Sequence, residues 1–422
     1  MNRIRPSHLE PLWQHHHAML RDPHQIVCQW QEATQVDPAL LRFCTRGPWW
    51  DVLEETGQTL IISREYEHLV LALSVADSRP RISYLHLPHP NGLAVDPQRG
   101  ALFVTSTRNP NMVLEFAPCQ RLWDESPTLT LPHKGGGKER MLPHKGGGRI
   151  NSGLLLPVCS LYLPGCLYLH DLAWINGELY ASAVGLNAVV RLPEAGGFEP
   201  VWWPRCIDSR EGPRFERNYL QLNSIAAGPT LAESFFSAST DKPSRRRPGH
   251  LNFAVDGRGV IFSGATREVF GRGLTRPHSA RLHQCHLWAA NSGYGEVGRT
   301  VDGRFEAVAR LPGWTRGLYF RKGLVFAGTS HVIPRFRHYA PGLDPAKCET
   351  AVHALDLKSG RVLASLVWPN GNQIFGIEGM ERSATLGFPF SYPEARQGKR
   401  HTVFFSRGLT GPVACGLAGD HI

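Results

Sequence analysis

HDLAWINGELYASAVGLNAVVRLPEAGGFEPVWWP, His170–Pro204, packs four short apolar runs between turns at Asn176-Gly177, Gly185 and Gly196-Gly197. Within each run apolar and polar residues alternate with a period of two, the signature of strands, and the glycine-bearing gaps are short enough for hairpins. Four such strands cannot close a core by themselves. What decides the fold is that the same four-run unit returns along the chain.

Before it come WDVLEETGQ, TLIISRE, YEHLVLALSV and RISYLHL, then NGLAVDP, ALFVTST, MVLEFAP and a delayed LLLPVCSLYL. After it come NSIAAG, SFFSAST, HLNFAVDG and GVIFSG, then HSARLHQ, HLWAANS, GEVGRTVDG and FEAVARL. A last full set is TRGLYFRKG, LVFAGTS, AVHALDLKSG and VLASLVW, and IFGIEGM opens a further one. Four-stranded units repeating every ~40–55 residues specify an all-β fold, a single β-propeller. Six sets are nearly complete and IFGIEGM begins a seventh, so the expected count is six or seven four-stranded blades. The propeller is expected over residues 45–380. A short helical N-terminal lead-in precedes it over 1–44, where Trp13, Leu20, Ile26, Val27 and Trp30 stand among polar residues. Residues 381–422 form a C-terminal tail whose fold the sequence does not specify; the remaining strands of a seventh blade would come from it or from the N-terminal segment.

Composition narrows the classes of function. The chain has 422 residues, 42% hydrophobic and 19% charged, the balance of a soluble domain. No run approaches the ~18 apolar residues of a spanning helix, so no membrane association is expected. Nine cysteines without a CxxC pair, and an N-terminus without an apolar signal core, suggest reduced thiols and a cytoplasmic protein. A formal charge of +10 favours anionic partners. The basic residues are dispersed apart from Arg245-Arg246-Arg247, which argues against nucleic acid.

Two motifs are decoys. Leu131–Gly148 repeats LPHKGGG, but it lacks the strand, helix and Ser/Thr that a phosphate loop needs, and it reads as an insertion within the second unit. Gly293, Gly295 and Gly298 spell GxGxxG, yet a hairpin pattern follows where a dinucleotide site needs a helix. These glycines are expected in turns.

In a propeller the loops entering first strands and leaving second strands share one face over the axis. The entries offer Asn91, His170 with Asp171, Asn223, His278 with Ser279, Arg316 and Glu378; the exits offer Arg64, Glu65, Arg108, Asn109, Asn187, Asn291 and His331. Any one of these polar residues can simply cap backbone groups. A ring mixing carboxylate, imidazole, amide and guanidinium has the composition of a ligand site. Trp49, Trp50, Trp202 and Trp203 read as core, and His283 and His286 as packing or surface residues.

HPNGLAVDPQRGALFVTSTRNPN, LYLHDLAW, NYLQLNSIAAG, GLTRPHSARL, LPGWTRGLYF and GNQIFGIE together resemble a bacterial family of unknown function, DUF4915, over residues 45–380. That resemblance implies a propeller and supplies no biochemical activity. NGLAVD…GALFVTST is also similar, more generally, to NHL and gluconolactonase-type repeats. The expected function is binding of a small polar or anionic ligand, or a protein partner, through the funnel. Arg276, Arg281, Arg316, Arg335 and Arg337 near that face favour an anionic group. The alternative is a lactonase-like metal-dependent hydrolase. There Glu378, Asn91, Asn223 and Asp171 would hold a divalent cation, and His170 or His278 would act as base. No local motif fixes a metal set, and no cofactor can be named from the residues.

Overall fold

In the computed structural model the described residues are Pro11, 36–107, 111–118, 153–246 and 248–391. Their strands form six four-stranded antiparallel units. From the axis outward, the first blade is Gly376–Glu381, Gln58–Arg64, Leu69–Ala76 and Arg79–His86, and the second is Pro90–Val95, Leu102–Ser106, Asn111–Pro118 and Leu155–Leu163. The third is Leu169–Ile175, Glu178–Ala183, Ala188–Arg191 and Glu199–Trp202, and the fourth is Leu222–Ala226, Phe235–Ala238, Gly259–Ser263 and Val269–Leu274. The fifth is Pro277–His283, His286–Asn291, Glu296–Val301 and Arg304–Arg310, and the sixth is Arg316–Arg321, Leu324–Thr329, Thr350–Asp356 and Val362–Trp368. Each innermost strand contacts that of the next blade, and the sixth contacts the first. The ring is closed, so the protein is a propeller of six blades.

The count is settled by IFGIEGM. It does not begin a seventh blade. Gly376–Glu381 pairs antiparallel with Gln58–Arg64, from Gln58↔Glu381 to Ser63↔Gly376, and so supplies the innermost strand of the first blade. The place expected for that strand, WDVLEETGQ, is instead a helix, Trp49–Thr56. Its buried residues Trp49, Leu53 and Thr56 recur at helical spacing, and Gly57 ends it in the left-handed region at φ 72°. The fourth blade differs too. HLNFAVDG is not a strand but part of a loop; GVIFS is third and Val269–Leu274 is fourth. Short strands at both ends of the described chain add outer edges. Cys44–Arg46 pairs with the sixth blade and Phe390–Ser391 with the first. Pro38–Leu41 is the described part of the helical lead-in, and Leu131–Gly148 lies outside the described residues.

The core lies between blades. Trp49, Leu60, Ile62, Phe326, Trp368, Ile377, Phe388 and Phe390 share one cluster that joins the first and sixth blades. Trp202 is buried against Phe236, whereas Trp50 and Trp203 are half-buried. His283 stacks on Phe320 and His286 is exposed; Gly293 and Gly295 lie in the turn expected of them, whereas Gly298 lies within the strand Glu296–Val301.

Where neighbouring blades meet, their inner strands pack with almost no space. A Cβ on Gly92 would stand 2.6 Å from Asp171 Cα and 2.9 Å from Leu172 N, both backbone atoms of the next blade. Gly92→Ala is therefore expected to destabilise the protein by roughly 1–3 kcal/mol, read as a lower urea midpoint with unchanged slope. An unchanged midpoint would show that the inner strands separate freely.

His353 links three strands of the sixth blade, with Nδ1 2.8 Å from Ser365 Oγ and Nε2 3.0 Å from Thr329 Oγ1. Burial pushes its pKa down from 6.5 to about 4. A base that is harder to protonate when folded binds fewer protons than the unfolded chain between these values. Stability is then complete above 6.5 and is lost as pH falls toward 4, by roughly 3 kcal/mol from this group. Urea titrations of wild type and His353→Gln should converge as pH falls through that window; a constant gap would contradict it.

Candidate functional site

Each of blades two to six shows a shift of register at or beside the entry of its innermost strand: Pro90/Leu93, Ala181/Ala183, Leu222/Ser224, His278/Arg281 and Arg316/Leu318. Such bulges leave backbone N–H groups without a ladder partner and re-aim side chains. Several of these donors are taken up across blade boundaries. Ile225 N–H donates to Asp171 Oδ2 (3.0 Å), Ala280 N–H to Ser224 Oγ (2.8 Å) and Gly317 N–H to Ser279 Oγ (2.8 Å). Ser63 Oγ joins the first blade to the second by donating to Asn91 O.

The entry residues so placed form a mouth. His170 and His278 have ring centres 6.2 Å apart, and both meet the edge of Phe375, at 5.4 and 4.9 Å. The Arg316 guanidinium lies 4.9 Å from Phe375 and 4.7 Å from Trp314. With the Gln373 amide in its hydrogen-bonding orientation, Oε1 accepts from Arg316 Nη1 at 2.6 Å and the NH2 group donates to Glu65 at 3.1 Å. Burial, then Arg316 and His170, holds His278 well below the usual imidazole range, so its ring is neutral; among the described residues its Nε2 has no hydrogen-bond partner.

Arg276 stands beside this cluster. It is 7% exposed, its guanidinium lies 3.9 Å from the Tyr339 ring centre, and Nη1 donates to the neutral oxygens of Ser239 (3.1 Å) and Gln221 (3.3 Å). Among the described residues no carboxylate forms an ion pair with Arg276 or Arg316. Burial lowers Arg276 to about 10 and also lowers Arg316. Both remain cations at neutral pH. Arg276 and His170 open onto a cleft of about 510 Å³ that Tyr66, Tyr168, Phe336 and Tyr339 also line.

Asp171 and Glu378 belong to a deeper layer. Asp171 accepts from Arg281 Nη1 (2.8 Å) and Nη2 (3.3 Å), so Arg281, expected at the mouth, is engaged inside the channel. Phe375 takes the entry position of the first blade, and Glu378 follows three residues, ~10 Å of strand, further along. The Asn223 amide donates to Pro277 O (2.9 Å) and Ser239 Oγ (3.4 Å), behind the histidines. Asn91 is fully buried at the entry of the second blade, and among the described residues neither polar atom of its side-chain amide has a hydrogen-bond partner.

Most exit residues serve as scaffold. Arg64 is fully buried and donates to Leu40 O and Asn370 O. Asn187 Oδ1 accepts from Tyr219 and Leu220 N–H, pinning the chain as it enters the fourth blade, and Asn291 Oδ1 accepts from Thr275 N–H, at the entry of its own blade. Arg108 and Asn109, and the side chain of Arg335, lie outside the described residues. Phe375, Gln373 and Tyr339 escaped the sequence reading. Phe375 was discoverable, because it directly precedes Gly376 just as Asn91 precedes Gly92 and Arg316 precedes Gly317.

Of the residues in the lactonase-like set, Asp171 and Glu378 share the deeper layer, where Asp171 is paired with Arg281. Asn91 and Asn223 stand at strand entries, and the Asn223 NH2 group donates to Pro277 O and Ser239 Oγ. Among the described residues no three His, Cys, Asp or Glu side chains lie close enough together to hold a metal ion. Nor is any described helix long and apolar enough to cross a membrane.

Fold and site thus define a six-bladed propeller whose axis opens at a cationic, aromatic mouth. The chain belongs to the family described as a domain of unknown function, DUF4915, which matches residues 47–385. No curated protein matches. Among solved structures it is similar to one in a nidogen/laminin complex, at 10% identity and TM-score 0.48, covering 76% of this chain and 98% of that one. It is also similar to a gluconolactonase from Xanthomonas campestris, at 13% identity and TM-score 0.41, covering 74% and 86%. A luciferin-regenerating enzyme aligns at 9% identity and TM-score 0.41, covering 67% and 77%.

Proposed function

We propose that the protein binds a small anionic ligand at the mouth of its axial channel, with Arg276 as the principal anchor and Arg316, His170 and His278 around it. One observation carries this reading: Arg276 is a nearly buried guanidinium that faces a cleft and is met by neutral oxygens and an aromatic ring. A buried charge without a counter-charge is costly, and an anion seated in the cleft would offset that cost. The Tyr66, Phe336 and Tyr339 rings suit an apolar body attached to the charged group. A neutral His278 offers a hydrogen bond without adding to the repulsion between the two arginines.

The test is a calorimetric titration with small carboxylates and phosphates, each against its neutral amide or alcohol counterpart. The expected result is binding of an anion and none by its neutral counterpart. Equal binding of both would contradict the role given to Arg276.

A further inference from the structure

We propose that the opposite mouth of the axial channel is a second, separate site, which takes a small primary ammonium on the carboxylate of Glu378. The inner strands of all six blades run in the same direction, so residues late in them lie at the far end from the cationic mouth. Val95, Trp174 and Leu282 hold such late positions, Ala227 directly follows its strand, and with Arg281 and Glu378 they line a cavity of about 260 Å³. Five blades contribute to its wall.

The charges in this layer do not cancel. Arg281 is paired with Asp171, although its charge also reaches Glu378: Nη1 donates to Asp171 Oδ2, Ala280 O (2.9 Å) and Ile225 O (3.2 Å), and Nη2 to Asp171 Oδ1. Asp171 is filled by Arg281 and Ile225 N–H. Glu378 has one hydrogen bond, from Gly379 N–H at 3.1 Å, and no ion pair within 4 Å among the described residues. Once ionised it leaves the layer with one uncompensated negative charge facing a cavity. An ammonium group supplies the missing charge and three donors, and Trp174 on the wall offers an aromatic surface that favours a cation. The cavity volume suits a short alkyl chain behind the ammonium.

This site is independent of Arg276, and it titrates. Burial pushes Glu378 up to about 7. The other ionisable groups facing it are Arg281, held protonated by Asp171, Asp171 itself, and Tyr319, whose pKa burial and Glu378 raise. Glu378 is therefore the group whose charge changes near neutrality.

The experiment uses the full chain with n-butylammonium, n-butanol as its neutral counterpart, and calcium ion alone. Calorimetry is run at about pH 5.5 and about pH 8.5, either side of the carboxyl titration. The amine stays protonated throughout, so binding should tighten about thirtyfold between the two, the ratio of ionised Glu378 at the two values. Glu378→Gln should abolish the pH dependence and most of the affinity. Ala227→Leu, which fills the cavity without changing charge, should weaken binding at both values, and Arg276→Ala should leave it unchanged. No heat of binding from the amine, equal binding of butanol, or unchanged affinity in Glu378→Gln overturns the proposal. So does calcium binding that the amine fails to displace, which would make this a metal site.

Discussion

Replacing Arg276 by alanine weakens the best anionic ligand by about 2–5 kcal/mol, or about 30- to 5,000-fold in Kd. The size of the effect follows from burial. The guanidinium is 7% exposed and packed against Tyr339, so an anion bound to it is shielded from water and cannot be served equally well by solvent. Arg276→Lys should recover only part of the loss, because an ammonium cannot present the planar fork that spans Ser239, Gln221 and a ligand together. The apo protein should lose little stability, since removing the side chain also removes a desolvated charge. Arg316→Ala should have a smaller effect, because Gln373 already engages its Nη1. Calorimetry on the variants checks each point, and an Arg276→Ala protein that binds the anion with wild-type affinity would remove the anchor from the account.

A chain ending at Phe375 should fail to fold cooperatively, while one ending at Ser391 should melt in a single transition. The shorter chain loses the innermost strand of the first blade, from Gln58↔Glu381 to Ser63↔Gly376. It also loses Ile377, Met380, Phe388 and Phe390 from the cluster that joins the first and last blades. Two buried phenylalanines at about 3–5 kcal/mol each already approach the 5–15 kcal/mol that typically separates folded from unfolded protein. Opening the ring leaves one edge of the wholly buried strand Gln58–Arg64 unpaired. Calorimetric melting distinguishes the outcomes, and a sharp transition in the shorter chain would mean that closure contributes little.

The blades were legible because each is written locally: alternation fixes the strands and glycine-bearing turns fix the hairpins. Closure was not legible locally, because the partner of Gln58–Arg64 lies more than three hundred residues away at Gly376–Glu381. Trp49–Thr56 misled because two adjacent tryptophans resemble a strand, although Trp49, Leu53 and Thr56 already carry the helical spacing. At the site, sequence placed His170, His278 and Arg316 at strand entries, and they gather around Phe375. It could not tell the layers apart. His170 and Asp171 are consecutive, yet the bulge at that entry leaves one beside His278 and the other on Arg281. The exit asparagines share their residue type with a ligand site, but Asn187 and Asn291 spend their amide oxygens on backbone N–H groups.

The most direct measurement is a crystal structure of the protein with the tightest-binding anion found by titration. The account predicts the charged group in the cleft between Arg276 and His170, with at least one oxygen within hydrogen-bond distance, ~2.7–3.2 Å, of the Arg276 guanidinium. Density for the anion elsewhere on the molecule, with the cleft beside Arg276 holding only solvent, would contradict it.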